Sequence, residues 1–202
     1  MQNIHGIFSF LKINLTSIRY MPLKEWKHKS TKSMFKNPWW EYLKDECFIP
    51  NGREYEYHYV HTGGSAMTVP VMDDGRIILV KQYRYLNRRF SVEFPSGGIK
   101  PEQDPLLIAH KELIEETGFD GEFQKVGIFN PYNGITDEYC HVYIARNLFA
   151  SEKETKDEQE EFEYLYLLPD EIDKMITSNE ITDGMTMAVW AMVKQYFTDK
   201  QS

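Results

Sequence analysis

Hydrophobic and polar residues alternate along much of this chain, and the period of the alternation changes several times. Glu54-Tyr55-Glu56-Tyr57-His58-Tyr59-Val60 repeats every second residue, Gly63-Gly64 marks a turn, and Ala66–Met72 resumes the strand pattern. Asp73-Asp74-Gly75 predicts a hairpin turn into Arg76–Arg84, whose Ile77-Ile78-Leu79-Val80 run is apolar enough for a buried central strand. Ser91–Pro95 leads into a loop, and Glu122–Phe129, Cys140–Ala145 and Phe162–Leu168 read as further strands, with Asn130–Glu138 a loop between the first two. The period lengthens to that of a helix between Asp104 and Gly118, over Pro169–Ser178 and over Asp183–Phe197, where Met185, Met187 and Met192 read as core filling. Met1–Tyr20 mixes apolar and polar residues with no clear period, and Met21 offers a second candidate start.

Gly97 to Phe119 carries the densest local signals. Asp104 can cap the free N–H groups of a helix start, Pro105 suits the first helical position, and Gly118 offers the left-handed residue that ends helices. Within that span Glu112, Glu115 and Glu116 stand at i, i+3 and i+4, so three carboxylates share one face. Leu106, Leu107, Leu113 and Ile114 fall opposite and are expected to be buried. The ordinary reading of such spacing is a solvated acidic face. Crowded acids repel, however, and a hard cation such as Mg²⁺ or Mn²⁺ would relieve the repulsion through carboxylate oxygens. The loop favours the metal: glycines in Pro95-Ser96-Gly97-Gly98 let the backbone approach, and the Ser96 carbonyl can then add a ligand.

Composition narrows the classes. At 202 residues, 42% hydrophobic and 27% charged, the chain suits one soluble globular domain with an appendage. A net charge of −8 argues against a general nucleic-acid binder. Two cysteines, Cys47 and Cys140, give no disulfide framework, so a reducing cytoplasm is expected; no apolar run is long enough to cross a bilayer. Charge is uneven: before Asn37, Glu25 faces Lys12, Arg19, Lys24, Lys27, Lys29, Lys32 and Lys36, whereas acids crowd Glu152–Glu163. Asn37-Pro38 precedes Trp39 and Trp40, which read equally as packing or interface anchors and as a pair that stacks on a nucleotide base. His141 lacks a Cys or acid at metal-ligand spacing and reads as a packed or surface histidine.

The spacing from Gly97 onward resembles a Nudix box: Gly, five residues, Glu, seven residues, then Arg-Glu-apolar-any-Glu-Glu-any-Gly-apolar. This chain keeps every interval and departs at two positions, with Gln103 for the first Glu and Lys111 for the Arg. The family's Glu–Arg brace between loop and helix would here be a weaker Gln–Lys contact. Lys81-Gln82-Tyr83-Arg84, Glu93-Phe94-Pro95-Ser96-Gly97 and Gly134-Ile135-Thr136-Asp137-Glu138 extend the likeness to the ADP-ribose pyrophosphatase branch, with Ser96 where that branch usually has Ala.

The resemblance implies an α/β fold, a Nudix-type α/β/α sandwich around a mixed sheet with a small N-terminal β region. Residues 1–35 would form a loosely attached extension, 36–72 the β region used for dimerisation and base binding, and 73–202 the hydrolase domain. It implies metal held by Ser96, Glu112, Glu115 and Glu116, with Glu116 also counted as catalytic. Arg84 would lie near substrate phosphates, against the alternative of a surface ion pair, and Glu93 would border the metal. The branch carries its catalytic carboxylate on a loop just before a strand, which makes Glu158 the first choice of general base and Glu160 the second. The implied reaction is Mg²⁺- or Mn²⁺-dependent hydrolysis of a nucleoside diphosphate derivative by a homodimer. ADP-ribose, giving AMP and ribose 5-phosphate, comes first, other NDP-sugars next, and a non-catalytic nucleotide-binding module is the alternative.

Overall fold

The run Ile77–Val80 is buried at all four positions, as a strand covered on both faces requires, and it forms the inner half of β5 (Ile77–Arg84). The computed structural model of the protein describes residues 22–151 and 161–198. In it β5 lies at the centre of an antiparallel sheet between β10 (Glu163–Leu167) and β6 (Arg89–Glu93). A second sheet has the order β7 (Ser96–Gly98), β4 (Ser65–Pro70), β9 (Cys140–Ala150), β8 (Phe119–Phe129); β4 and β9 are parallel, and the other pairs antiparallel. Before both comes an antiparallel meander, β1 (Lys27–Lys36), β2 (Glu41–Phe48) and β3 (Glu54–His61).

The two faces of the mixed sheet have different tasks, set by the period of two along its strands. On one face Met67, Val69, Val142 and Ile144 join Ile77, Leu79 and Phe94 in the larger core. That core is closed by Ile172 of α2 (Pro169–Thr177) and by Val189, Trp190 and Val193 of α3 (Gly184–Val193). On the other face Ala66 and Tyr143 pack with Ile108 and Ala109 of α1 (Pro105–Thr117). Helices therefore flank a mixed sheet, as expected. No described helix is long and apolar enough to cross a membrane.

Several expectations change in detail. The turn at Asp73-Asp74-Gly75 forms, with Gly75 N–H bonded to the Met72 carbonyl, but it joins strands of different sheets through a single bridge, Val71 to Ile77, rather than a hairpin ladder. Pro95–Gly98 is not wholly a loop, because Ser96–Gly98 pairs with Met67, Ala66 and Ser65 as an edge strand. Leu107 is exposed rather than buried; the helix buries Ile108, Ala109 and Leu113. Lys27–Lys36 forms a paired strand within the stretch expected as an extension, and Ser65–Pro70, assigned to the N-terminal region, lies inside the central sheet. A short α4 (Gln195–Thr198) follows α3 separately.

Candidate active site

The box helix begins and ends where its sequence dictates. The Asp104 carboxylate accepts a bond from Leu106 N–H at 2.9 Å, Pro105 follows, and Gly118 at φ 77° donates its N–H to the Ile114 carbonyl at 2.8 Å. This length brings its acids against β7. Gly97 presses on Glu112 so closely that a Cβ there would lie 2.2 Å from the Glu112 carboxyl carbon. Glu116 is 5% exposed, and its carboxylate accepts from Ser96 N–H at 3.2 Å. Glu112 and Glu115 both turn to the Lys111 ammonium, Glu112 at 3.2 Å and Glu115 more closely.

Among the described residues, no three His, Cys, Asp or Glu side chains converge into a ready metal cage. Each carboxylate bonds a local donor instead, Glu112 and Glu115 the Lys111 ammonium and Glu116 the Ser96 N–H. The residues nonetheless fit a hard cation. Two carboxylates already share one positive charge, a third is buried beside them, and a side-chain-free stretch of backbone lies against the group. Burial pulls the Lys111 pKa down, but its bonds to Glu115 and Glu112 outweigh that and hold it above the ordinary lysine value. The two departures from the box take separate partners. Gln103 accepts from Lys100 N–H at 2.8 Å, whereas Lys111 turns to the acids.

β5 and β6 supply an adjoining wall. Their register sets Val80 opposite Glu93, Gln82 opposite Ser91 and Arg84 opposite Arg89, so Gln82, Arg84, Arg89, Ser91 and Glu93 share one face. That face lines a cleft of about 950 Å³ that also reaches Ser96. Within it Arg84 forks onto the buried Glu93 carboxylate, its Nε donating at 2.8 Å and Nη2 more closely, while Gln82 donates to the same carboxylate at 3.5 Å. The fork raises the Arg84 pKa against the opposing effect of burial, and Glu93, Glu116 and Asp183 add attraction. Asp183 caps α3, accepting from Thr186 N–H at 2.7 Å, and lines the cleft together with Glu161.

The structure thus brings Arg84, Glu93 and Ser96 onto one cleft, and Glu116 and Glu112 against the same strand end. Trp39 and Trp40 lie elsewhere, at the β1–β2 connection. Trp39 is 79% exposed, and the Trp40 ring rests 5.5 Å from Phe35; neither lines the cleft. Glu158 and Glu160 lie outside the described residues; Glu161, the next acid of that run, lines the cleft. Sequence reasoning passed over Arg89, Ser91 and Asp183. The parity of β6 and the capping position before α3 are the signals that could have found them. Cys140 is buried, which pushes its thiol up to about 11 and makes it a poor nucleophile.

Comparison with known proteins adds independent findings. The sequence model of the NUDIX domain matches residues 62–186. The chain is 33% identical over 144 residues to the ADP-ribose pyrophosphatase of Bacillus subtilis, covering 70% of this chain and 78% of that protein. It is 30% identical over 145 residues to the methanol dehydrogenase activator of Bacillus methanolicus, covering 71% and 78%. A GDP-mannose pyrophosphatase of Salmonella typhimurium is 30% identical over 140 residues, covering 63% of this chain and 72% of that one. Among solved structures, that of an ADP compounds hydrolase superimposes with a TM-score of 0.76 at 17% identity, covering 87% of this chain and 96% of the other, a likeness of fold.

Proposed function

This chain belongs to the NUDIX family, and from that premise we propose that it is a pyrophosphatase of the ADP-ribose and nucleoside diphosphate sugar type, which hydrolyses ADP-ribose to AMP and ribose 5-phosphate in a Mg²⁺- or Mn²⁺-dependent reaction. Other NDP-sugars are the next substrates in line. One observation carries the reading: the Arg84–Glu93 fork and Ser96 open on one cleft, and the buried Glu116 is bonded to Ser96 at its end.

Ser96, Glu112, Glu115 and Glu116 would hold the metal, which when bound neutralises pyrophosphate charge and lowers the pKa of a bound water. Arg84 keeps donor capacity beyond the two N–H groups used on Glu93 and directs it at a phosphate. Glu93 holds the Arg84 guanidinium in place. A carboxylate preceding β10 takes the proton from water, Glu158 first and Glu160 second, a step that typically contributes about a hundred- to ten-thousand-fold. Two buried, unpaired thiols suit a reducing cytoplasm.

A non-catalytic nucleotide-binding module stays as the second reading, because the Lys111 ammonium already draws on Glu112 and Glu115. Release of AMP from a panel of nucleoside diphosphate derivatives separates the two, using wild type and Glu116→Gln with and without Mg²⁺. Metal-dependent release by wild type, reduced about a hundredfold or more in the variant, supports the hydrolase. Tight binding with no release by either protein supports the module.

A further inference from the structure

The β5–β6 register places two arginines, Arg84 and Arg89, directly opposite each other on the face that lines the cleft. Like charges in that position repel and cost a sheet stability, so the pair calls for an explanation. Arg84 has one, since its guanidinium is neutralised by the buried Glu93 carboxylate. Arg89 does not: among the described residues no carboxylate pairs with it, although it lines a cleft that elsewhere carries Glu93, Glu161 and Asp183. Among the described residues the cleft is therefore polar in both senses of charge, with acids towards Ser96 and α3 and, at the open end of the β5–β6 hairpin, positive charge that no described carboxylate pairs.

We propose that Arg89 is a second phosphate-binding residue, which with Arg84 brackets a phosphate group of the substrate at the hairpin end of the cleft. The inference rests on the reading of this cleft as the site for a nucleoside diphosphate derivative. A phosphate between the two guanidinium groups turns their repulsion into joint attraction, and the planar fork of arginine matches phosphate oxygens in pairs. Nearby Gln82, Asn87 and Ser91 line the same cleft and offer neutral donors for the remaining oxygens. The division of labour follows from what each arginine is already bonded to. Arg84, tied to Glu93, is fixed in direction; Arg89, untied, supplies the net charge that a phosphate requires.

Calorimetric titration of AMP, ADP-ribose and adenosine into wild type, Arg89→Gln and Arg89→Lys tests this, with a thermal melt to show that each variant is folded. Loss of a charge-assisted contact weakens AMP and ADP-ribose binding by about ten- to a hundredfold in Arg89→Gln. Arg89→Lys recovers part of that loss, because it keeps the charge and loses the fork. Adenosine, which has no phosphate, binds wild type and variants alike, whereas a merely structural role for Arg89 would weaken it equally. Wild-type affinity of Arg89→Gln for AMP and ADP-ribose overturns the inference and leaves the proposed function standing. Failure of the wild type to bind either phosphate ligand overturns both.

Discussion

A methyl group on Gly97 would enter the space now filled by the end of the Glu112 side chain, 2.2 Å from its carboxyl carbon. That neighbour is flexible and can swing aside, so the fold tolerates the change while the carboxylate loses its place. We therefore expect Gly97→Ala to melt close to wild type but to bind Mn²⁺ at least about tenfold more weakly, the effect of losing roughly one contact to a charged group. A Mn²⁺ titration followed by electron paramagnetic resonance reads this; unchanged affinity would show that Glu112 is not a ligand. The acids were legible from their spacing on a capped helix. The Lys111–Glu115 pair is i,i+4 on that same helix and is implicit in the spacing, whereas the bond from Ser96 N–H to Glu116 depends on a loop that sequence spacing does not place.

At the level of elements, legibility followed the source of each element's stability. The box helix is stopped by its own Asp104 and Gly118, and β5 announces itself by a four-residue apolar run, so both could be read locally. β1 could not. Every residue of KHKSTKSMFK is exposed, and the strand is held across the sheet instead. Lys29 reaches Glu46 at 3.3 Å and Glu54 at 3.2 Å, Lys36 reaches Glu41 at 3.0 Å, and Thr31 donates to Asp45 at 2.7 Å. Two residues of the basic bias before Asn37, Lys29 and Lys36, thus find their acids in β2 and β3. The same meander leaves Trp26, Phe35, Trp39, Trp40, Tyr55 and Tyr57 substantially exposed, more aromatic surface than a free sheet ordinarily shows. Since Trp39 and Trp40 do not line the cleft of their own chain, base stacking by them requires the cleft of a second copy. A homodimer in sedimentation at micromolar concentration is the expected result, and a monomer there removes both the dimer and the base-binding role of the two tryptophans.

On the scale of the whole molecule, the site is where three separately stabilised pieces meet. The β5–β6 wall is fixed by the larger core, α1 by its packing on Ala66 and Tyr143, and β7 by its pairing with β4. The fold class and the box were readable because each is written into a continuous stretch of sequence. Strand parity and the capping position before α3 mark Arg89 and Asp183 as candidates, but their gathering with Arg84 on one cleft is a product of register and of helix placement, which those local signals do not encode. The account depends on a cation entering between β7 and the helix that follows it. Anomalous scattering from crystals grown with Mn²⁺ tests that most directly. The expected map has its strongest peak between Ser96 and the Glu112, Glu115 and Glu116 carboxylates, with Lys111 displaced from Glu112 and Glu115; a map with no peak there, or with Glu112 and Glu115 still bonded to Lys111 at saturating Mn²⁺, would contradict it.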